Sequence, residues 1–191
     1  MRCHDKAFRF VRRTNDREVL VYVDGSCLGQ NSPTRRAGCG WTYKPGTTTS
    51  EPESYAIRLE GKGPDGDAYS QTSNRAELRA ALGALEFRMW PGEGWRRMVI
   101  ATDSEYVFLG ITMRIQTWAA RGWRTAGGQA VKNQDLWKRL LDRINYFAKY
   151  GLEVVFWKIP REQNQYADLA AKKGAREPDV EEFTKYEGVL R

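Results

Sequence analysis

Hydrophobic and polar positions follow two distinct rhythms along this chain. Val19 to Asp24 (VLVYVD) is a short apolar run, rich in β-branched residues and closed by Gly25, which predicts a buried strand. Cys39 to Tyr43 (CGWTY) and Tyr55 to Leu59 (YAIRL) predict two more, with the turn residues Pro45, Gly46 and Pro52 between them, a spacing that suits an antiparallel meander. Glu60 to Ser70 (EGKGPDGDAYS) breaks every period and reads as a loop. Then the rhythm changes. Leu78, Leu82, Leu85 and Met89 recur at helical spacing behind three candidate caps, Thr72, Ser73 and Asn74, until Pro91 and Gly92 stop the run. Met98 to Thr102 (MVIAT) predicts a strand ending at Asp103, and Ser104 can cap a short helix through Tyr106, Val107 and Leu109. Trp137, Leu140, Leu141 and Ile144 mark another helix. Leu152 to Ile159 (LEVVFWKI) is the last strand, and a helix from about Asn164 to Gly174 carries Ala167, Leu169, Ala170 and Ala171.

A meander followed by strand–helix–strand units predicts an α/β fold: a five-stranded mixed sheet, antiparallel meander plus parallel strands, with helices on both faces. The 191 residues suit one core, and 41% hydrophobic residues with seven tryptophans argue for a packed globule. Residues 1–18 read as a disordered or strand-extending arm, residues 19–175 as the domain, and residues 176–191 as an acidic tail in which Val180 and Phe183 could dock one short helix.

Composition removes several chemistries. Cys3, Cys27 and Cys39 are odd in number and lack CxxC spacing, which disfavours a disulfide framework or a thiolate zinc site. His4 is the sole histidine, so a multi-histidine metal site and a histidine-dependent triad are excluded. No apolar run approaches the roughly 18 residues of a membrane span, so no membrane partner is expected. The expected setting is intracellular and reducing, nucleus or cytoplasm. The basic Arg2, Arg9, Arg12 and Arg13 leave organelle import open, although Asp5, Asp16 and the lack of serine enrichment argue against it. The net charge of +7 suits a polyanionic partner.

What remains is carboxylates. Singly, each has an ordinary reading: Asp24 as a turn residue, Glu77 and Asp168 as solvated helix positions, Asp103 as a cap. As a set they say more. Asp24 and Asp103 terminate the two most apolar strands, so parallel pairing of these strands brings both carboxyls to one sheet edge, where ligands of open α/β sheets gather. Glu77, near its helix start, and Asp168, early in the last helix, can lean over the same edge. Four carboxylates with no basic partner would repel one another, divalent cations relieve that cost, and oxygen-only ligation selects Mg²⁺ or Mn²⁺. Two such ions about 4 Å apart hydrolyse phosphodiesters without a histidine or cysteine nucleophile.

The segments VYVDGSC (Val21 to Cys27), RAGCGW (Arg36 to Trp41), QTSNRAELRA (Gln71 to Ala80), ATDSEYV (Ala101 to Val107), Gly110 to Trp137 and NQYADLAAKKGA (Asn164 to Ala175) stand in the order found in type 1 ribonuclease H, which the chain resembles over roughly Val19 to Ala175. The resemblance implies hydrolysis of the RNA strand of RNA–DNA hybrids by a monomer, with two Mg²⁺ ions (Mn²⁺ as a substitute) held by Asp24, Glu77, Asp103 and Asp168. It implies that Gly110 to Trp137 is a basic protrusion holding the DNA strand, with Trp118 packing on deoxyribose, and that Thr72 and Asn133 grip a DNA phosphate. Ser73, Asn74 and the Gln30–Asn31 loop fall where the family reads 2′-hydroxyls. Independently of the resemblance, Arg114, Arg121, Arg124 and Lys132 alternate with Trp118 and Trp123 around Gly122, Gly127 and Gly128, a pattern suited to phosphates and stacked sugars or bases, although both tryptophans also suit a partly core position.

The sequence departs from the family pattern in two places. Lys158 to Asp168 (KIPREQNQYAD) lacks the histidine that commonly precedes the last aspartate, leaving Arg161 or Glu162 as candidates for its place. Ser70 stands where the phosphate pocket usually has arginine, and Arg114 where the channel has a tryptophan. No separate hybrid-binding domain is expected before residue 19. Two competing readings follow: a non-catalytic or weakly active hybrid or duplex-binding module on the same fold, and a retroelement-derived ribonuclease H domain.

Overall fold

The computed structural model describes residues 9–29, 32 and 34–186. Its centre is a mixed sheet of six strands: β1 (Phe10–Arg12), β2 (Asn15–Leu28), β3 (Arg36–Lys44), β4 (Glu53–Arg58), β5 (Arg97–Thr102) and β6 (Glu153–Lys158). The order is β4-β3-β2-β5-β6, with β1 paired antiparallel to the start of β2 through Phe10↔Leu20 and Val11↔Val19. β2, β3 and β4 form the antiparallel meander, and β2–β5 and β5–β6 pair in parallel. The mixed architecture follows the sequence pattern, with one correction. Among the described residues there are six strands rather than five, because Phe10–Arg12 folds back on β2.

Helices α1 (Ser73–Glu86), α2 (Glu105–Leu109), α3 (Ile115–Ala120), α4 (Gln134–Lys149) and α5 (Gln165–Gly174) complete the fold, with a π-helical turn at Gly110–Arg114 between α2 and α3. Thr72 caps α1 by accepting from the backbone N–H of Arg75 at 3.2 Å. α1 ends at Glu86, short of Met89, whose side chain is exposed. Leu78, Leu82 and Leu85 are fully buried and join Val19, Val21, Val23, Met98 and Ile100 in the core, together with Leu136, Trp137, Leu140 and Phe147 from α4. Burial of each such side chain is worth roughly 1.5–3 kcal/mol.

α1 and α5 cover opposite faces of the meander, and glycines in the strands set how closely. A Cβ at Gly40 would lie 2.4 Å from the backbone nitrogen of Ala171, and one at Gly38 would lie 2.0 Å from that of Ala175, so α5 rests directly on β3. On the other face, Gly25 does the same for α1: a Cβ there would lie 2.1 Å from the backbone nitrogen of Glu77. No helix among the described residues is long and apolar enough to cross a membrane.

The tail differs from the expectation of a short docked helix. It runs extended over the domain: Gly61 and Lys62 donate backbone hydrogen bonds to Val180 and Glu181, each at 2.8 Å. Phe183 lies against the guanidinium of Arg79, which is itself buried and paired with Glu60 at 2.8 Å. An extended segment wins here because the exposed edge at Gly61–Lys62 offers backbone partners that a helix would leave unused.

Candidate active site

The parallel ladder between β2 and β5 ends at the pair Val23↔Thr102, and the next residues are Asp24 and Asp103. Asp103 does follow a strand end, but Asp24 does not. β2 continues to Leu28, paired with β3 from Asp24↔Gly40 to Leu28↔Arg36. The expectation that Asp24 terminates its strand is therefore corrected: Asp24 sits at a fork, where β2 keeps one neighbour and loses the other. The fork explains why Asp24 is only 5% exposed and still lies beside Asp103.

Two further elements bring side chains to the fork. The close approach at Gly25 sets Glu77 beside Asp24. Asn164, 1% exposed, donates through Nδ2 to the carbonyl of Val23 at 2.9 Å and to Asp103 Oδ1 at 2.6 Å. It thereby ties the start of α5 to β2 at the fork and to the residue that follows β5. Asp168 follows one helical turn later, its backbone N–H bonded to the Asn164 carbonyl at 3.0 Å.

Crowding of acids in a poorly hydrated place has the expected electrostatic result. Burial, reinforced by the charges of Asp103 and Asp168, pushes the Asp24 carboxyl up to about 7. Burial, then the charges of Asp24 and Asp103, raises Glu77 well above the usual carboxylate range. Asp24 shares side-chain hydrogen bonds with both Glu77 and Asp103. Glu77 Oε2 is buried and has no hydrogen-bond partner among the described residues.

Asp168 behaves differently. Lys172 Nζ lies 2.5 Å from its Oδ2, and Arg161 lies 3.8 Å from its Oδ1. The expectation that the four acids lack a basic partner is therefore corrected. Lys172 stands at i+4 from Asp168 on α5, the spacing at which helical side chains meet. Asp24, Glu77 and Asp103 are brought into contact, and Asp168 lies within Coulombic range of Asp24 but is turned toward Lys172. Among the described residues, no three Asp, Glu, His or Cys side chains form a ready-made metal-ligating group. The donor chemistry nonetheless fits a hard divalent cation. The donors are all oxygens, one of them a buried orphan, and two of the carboxyls, Asp24 and Glu77, are held away from their ionised form by burial and by the charges of neighbouring acids.

The described residues expected to contact nucleic acid lie at the start of α1 and from α3 to the start of α4. Thr72 is the α1 cap; Ser73 is half-buried and Asn74 exposed in the first turn. Gln30 and Asn31 lie outside the described residues, as do Cys3 and His4. Arg121 and Lys132 are exposed. Arg124 is exposed as well but donates to the Gly128 carbonyl at 2.7 Å, closing its loop. Trp118 is half-buried, its ring centroid 5.6 Å from that of Trp137 at a tilt of 60°, and Trp123 packs against the same core at a positive φ of 63°.

Asn133 caps α4 in the left-handed conformation, at φ 57° and ψ 33°, a region asparagine enters more readily than most residues. The sequence reading missed the group that holds it. Arg75, 2% exposed, forms a bidentate pair with Asp135 at 3.0 and 2.6 Å and donates to Asn133 Oδ1 at 3.3 Å, while the ring of Tyr69 covers its guanidinium at 3.8 Å. A signal was present: Arg75 precedes Leu78 and Leu82 on the same helical stripe, and an arginine among core positions requires a buried acceptor. Asn164, Lys172 and Tyr106 were missed too.

A family model described as RNase H matches residues 16–176. A ribonuclease H of Yersinia pestis is 34% identical over 166 residues, covering 87% of this chain and 95% of its own. One from Treponema pallidum is 39% identical over 130 residues, covering 64% and 70%. Among solved structures, LC9-RNase H1, described as a type 1 RNase H with the type 2 active-site motif, aligns with a TM-score of 0.58 at 28% identity over 83% of this chain and 72% of that one. A foamy viral protease–reverse transcriptase in complex with an RNA/DNA hybrid aligns with a TM-score of 0.60 at 22% identity, over 82% of this chain and 20% of the viral one.

Proposed function

This chain belongs to the ribonuclease H family, endonucleases that hydrolyse the RNA strand of RNA–DNA hybrids with divalent metal ions, and from that premise we propose which residues do the work. Asp24, Glu77, Asp103 and Asp168 are the proposed ligands of two Mg²⁺ ions, with Mn²⁺ as a possible substitute. The observation that carries this assignment is the fork itself. Glu77, one oxygen of which is buried without a partner among the described residues, stands beside an Asp24 carboxyl raised to about 7, an arrangement that costs the fold stability and that positive charge relieves. These carboxylates would hold the cations, which would supply Lewis acidity for activating a water and for offsetting charge on the leaving oxygen.

The chain's own residues do the positioning. Asn164 fixes Asp103, Gly25 sets the depth of Glu77, and Lys172 holds Asp168 until a stronger cation competes for it. Thr72 and Asn133 grip a phosphate of the DNA strand. Trp118, Arg121, Arg124 and Lys132 guide that strand, and Ser73 and Asn74, with Gln30 and Asn31, read 2′-hydroxyls of the RNA. The foamy viral protein that shares this fold carries an RNA/DNA hybrid, the ligand proposed here. The proposed catalytic unit is residues 19–175, acting as a monomer, with 1–18 as an arm and 176–191 as a tail.

The test is cleavage of an RNA–DNA hybrid labelled on either strand. Wild type with Mg²⁺ should cut the RNA strand alone, and EDTA or Asp103→Asn should abolish the cut. Undiminished cleavage by Asp103→Asn would refute the ligand assignment. Tight hybrid binding without cleavage at any metal concentration would establish the non-catalytic module instead.

A further inference from the structure

We propose that Tyr106 is a positioning residue for the DNA strand, its hydroxyl fixing which way the Asn133 amide faces; the inference rests on the reading of Asn133 as a phosphate contact. The Tyr106 hydroxyl is a hub. It accepts from Asn133 Nδ2 at 3.1 Å and from Trp137 Nε1 at 3.1 Å, and it donates to the Lys132 carbonyl at 3.3 Å. Its ring lies 5.5 Å from that of Trp137, so packing as well as hydrogen bonding holds the oxygen in place.

The orientation of the amide follows from what its neighbours can do. Arginine only donates, so the Arg75 contact at 3.3 Å requires Asn133 Oδ1 on that side. The indole of Trp137 also only donates, which occupies one lone pair of the Tyr106 oxygen; the hydroxyl hydrogen is spent on Lys132. The remaining lone pair faces Asn133 and accepts one of its two amide hydrogens. The second amide hydrogen is the one neither neighbour claims, and it is the donor suited to an anion. With the Tyr106 oxygen gone, the amide keeps only the Arg75 contact as an anchor and turns about its side-chain bonds.

The surroundings favour an anion at this point. Asn133 caps α4, Thr72 caps α1, and Arg75 joins the two caps, its backbone N–H donating to Thr72 Oγ1 at 3.2 Å and its guanidinium to Asn133. Two helix N-termini therefore converge over one buried cation that Asp135 neutralises. The Lys132 carbonyl held by Tyr106 belongs to a residue assigned to the same strand. Trp118 also packs at a tilt against Trp137, so the hub links both proposed DNA contacts.

Tyr106→Phe retains the ring and removes the oxygen. The test measures KM and kcat for hybrid cleavage in wild type, Tyr106→Phe, Asn133→Gly and the double variant. Glycine is chosen because it adopts the positive φ of residue 133 without strain. Assays run well below each variant's melting temperature, with folding checked by circular dichroism. The expected result is a KM raised about fivefold by Tyr106→Phe with kcat within about twofold, roughly 1 kcal/mol of lost strand binding. Asn133→Gly should raise KM at least as much, and adding Tyr106→Phe to it should have no further effect. A KM raised by Asn133→Gly but not by Tyr106→Phe would overturn the inference and leave the phosphate contact standing. An equal further rise in the glycine background would overturn it as well, since Tyr106 would then act without Asn133. An unchanged KM for Asn133→Gly would overturn the phosphate-contact reading itself.

Discussion

Replacing Asp24 by asparagine should destroy activity and stabilise the metal-free protein, with a pH dependence that identifies the cause. The folded Asp24 carboxyl is raised from 3.8 to about 7 by burial and by the charges of Asp103 and Asp168. A raised carboxyl means that the folded state holds its proton over a range where the unfolded chain has released it. Stability is therefore fully present below about pH 4 and falls by about 1.4 kcal/mol per pH unit until the folded group ionises near 7. Three units give a loss of about 4 kcal/mol by pH 8, an upper bound because the raised Glu77 carboxyl titrates together with Asp24. Asparagine mimics the neutral acid and never meets this loss. Urea unfolding in EDTA should thus show Asp24→Asn more stable than wild type by about 2–4 kcal/mol at pH 8, with the gain vanishing near pH 4. Mg²⁺ at 100 times its Kd would return about 2.7 kcal/mol to the wild type and narrow the gap. Equal stabilities at pH 8, or a gain of the same size at pH 4 and pH 8, would refute the electrostatic account of the fork.

Other perturbations separate site from scaffold. Gly25→Ala places a Cβ against the Glu77 backbone, so it should cost several kcal/mol and most of the hybrid cleavage together, read by denaturation and by turnover. Arg75→Met leaves Asp135 buried without its partner and should cost about 3–5 kcal/mol in urea unfolding. Lys132→Ala should lower the salt slope of hybrid binding by about one unit without changing stability, as expected for an exposed phosphate contact. Trp118→Ala should weaken hybrid binding and lower the melting temperature slightly; collapse of the fold with unchanged affinity would show the ring to be core alone.

The sheet was legible because its strands obey local rules. VLVYVD and MVIAT are continuous apolar runs, as parallel neighbours covered on both faces tend to be, and Thr72 announces α1 by its place before a helical stripe. The four acids were singled out by their places along the chain: Asp103 directly after a strand, Glu77 and Asp168 early in their helices, and Asp24 just before Gly25 at the close of an apolar run. What escaped is what depends on partners distant in sequence. Nothing near Asp135 signals that Arg75, 60 residues earlier, fills the space beneath α4. β2 was read as ending at Asp24 because Gly25 resembles a turn former, whereas its missing side chain admits α1. The extended tail depends on an edge at Gly61–Lys62 that exists only after folding. Lys172 could have been read from the i, i+4 spacing, but its meaning depends on what Asp168 faces.

The most direct test of the central claim is anomalous diffraction from crystals soaked in Mn²⁺. The account predicts manganese density about 2.0–2.2 Å from carboxylate oxygens of Asp24, Glu77 and Asp103, with Asp168 released from Lys172 to join the set. Density placed elsewhere, with Asp24 and Glu77 touching no ion at saturating manganese, would contradict it.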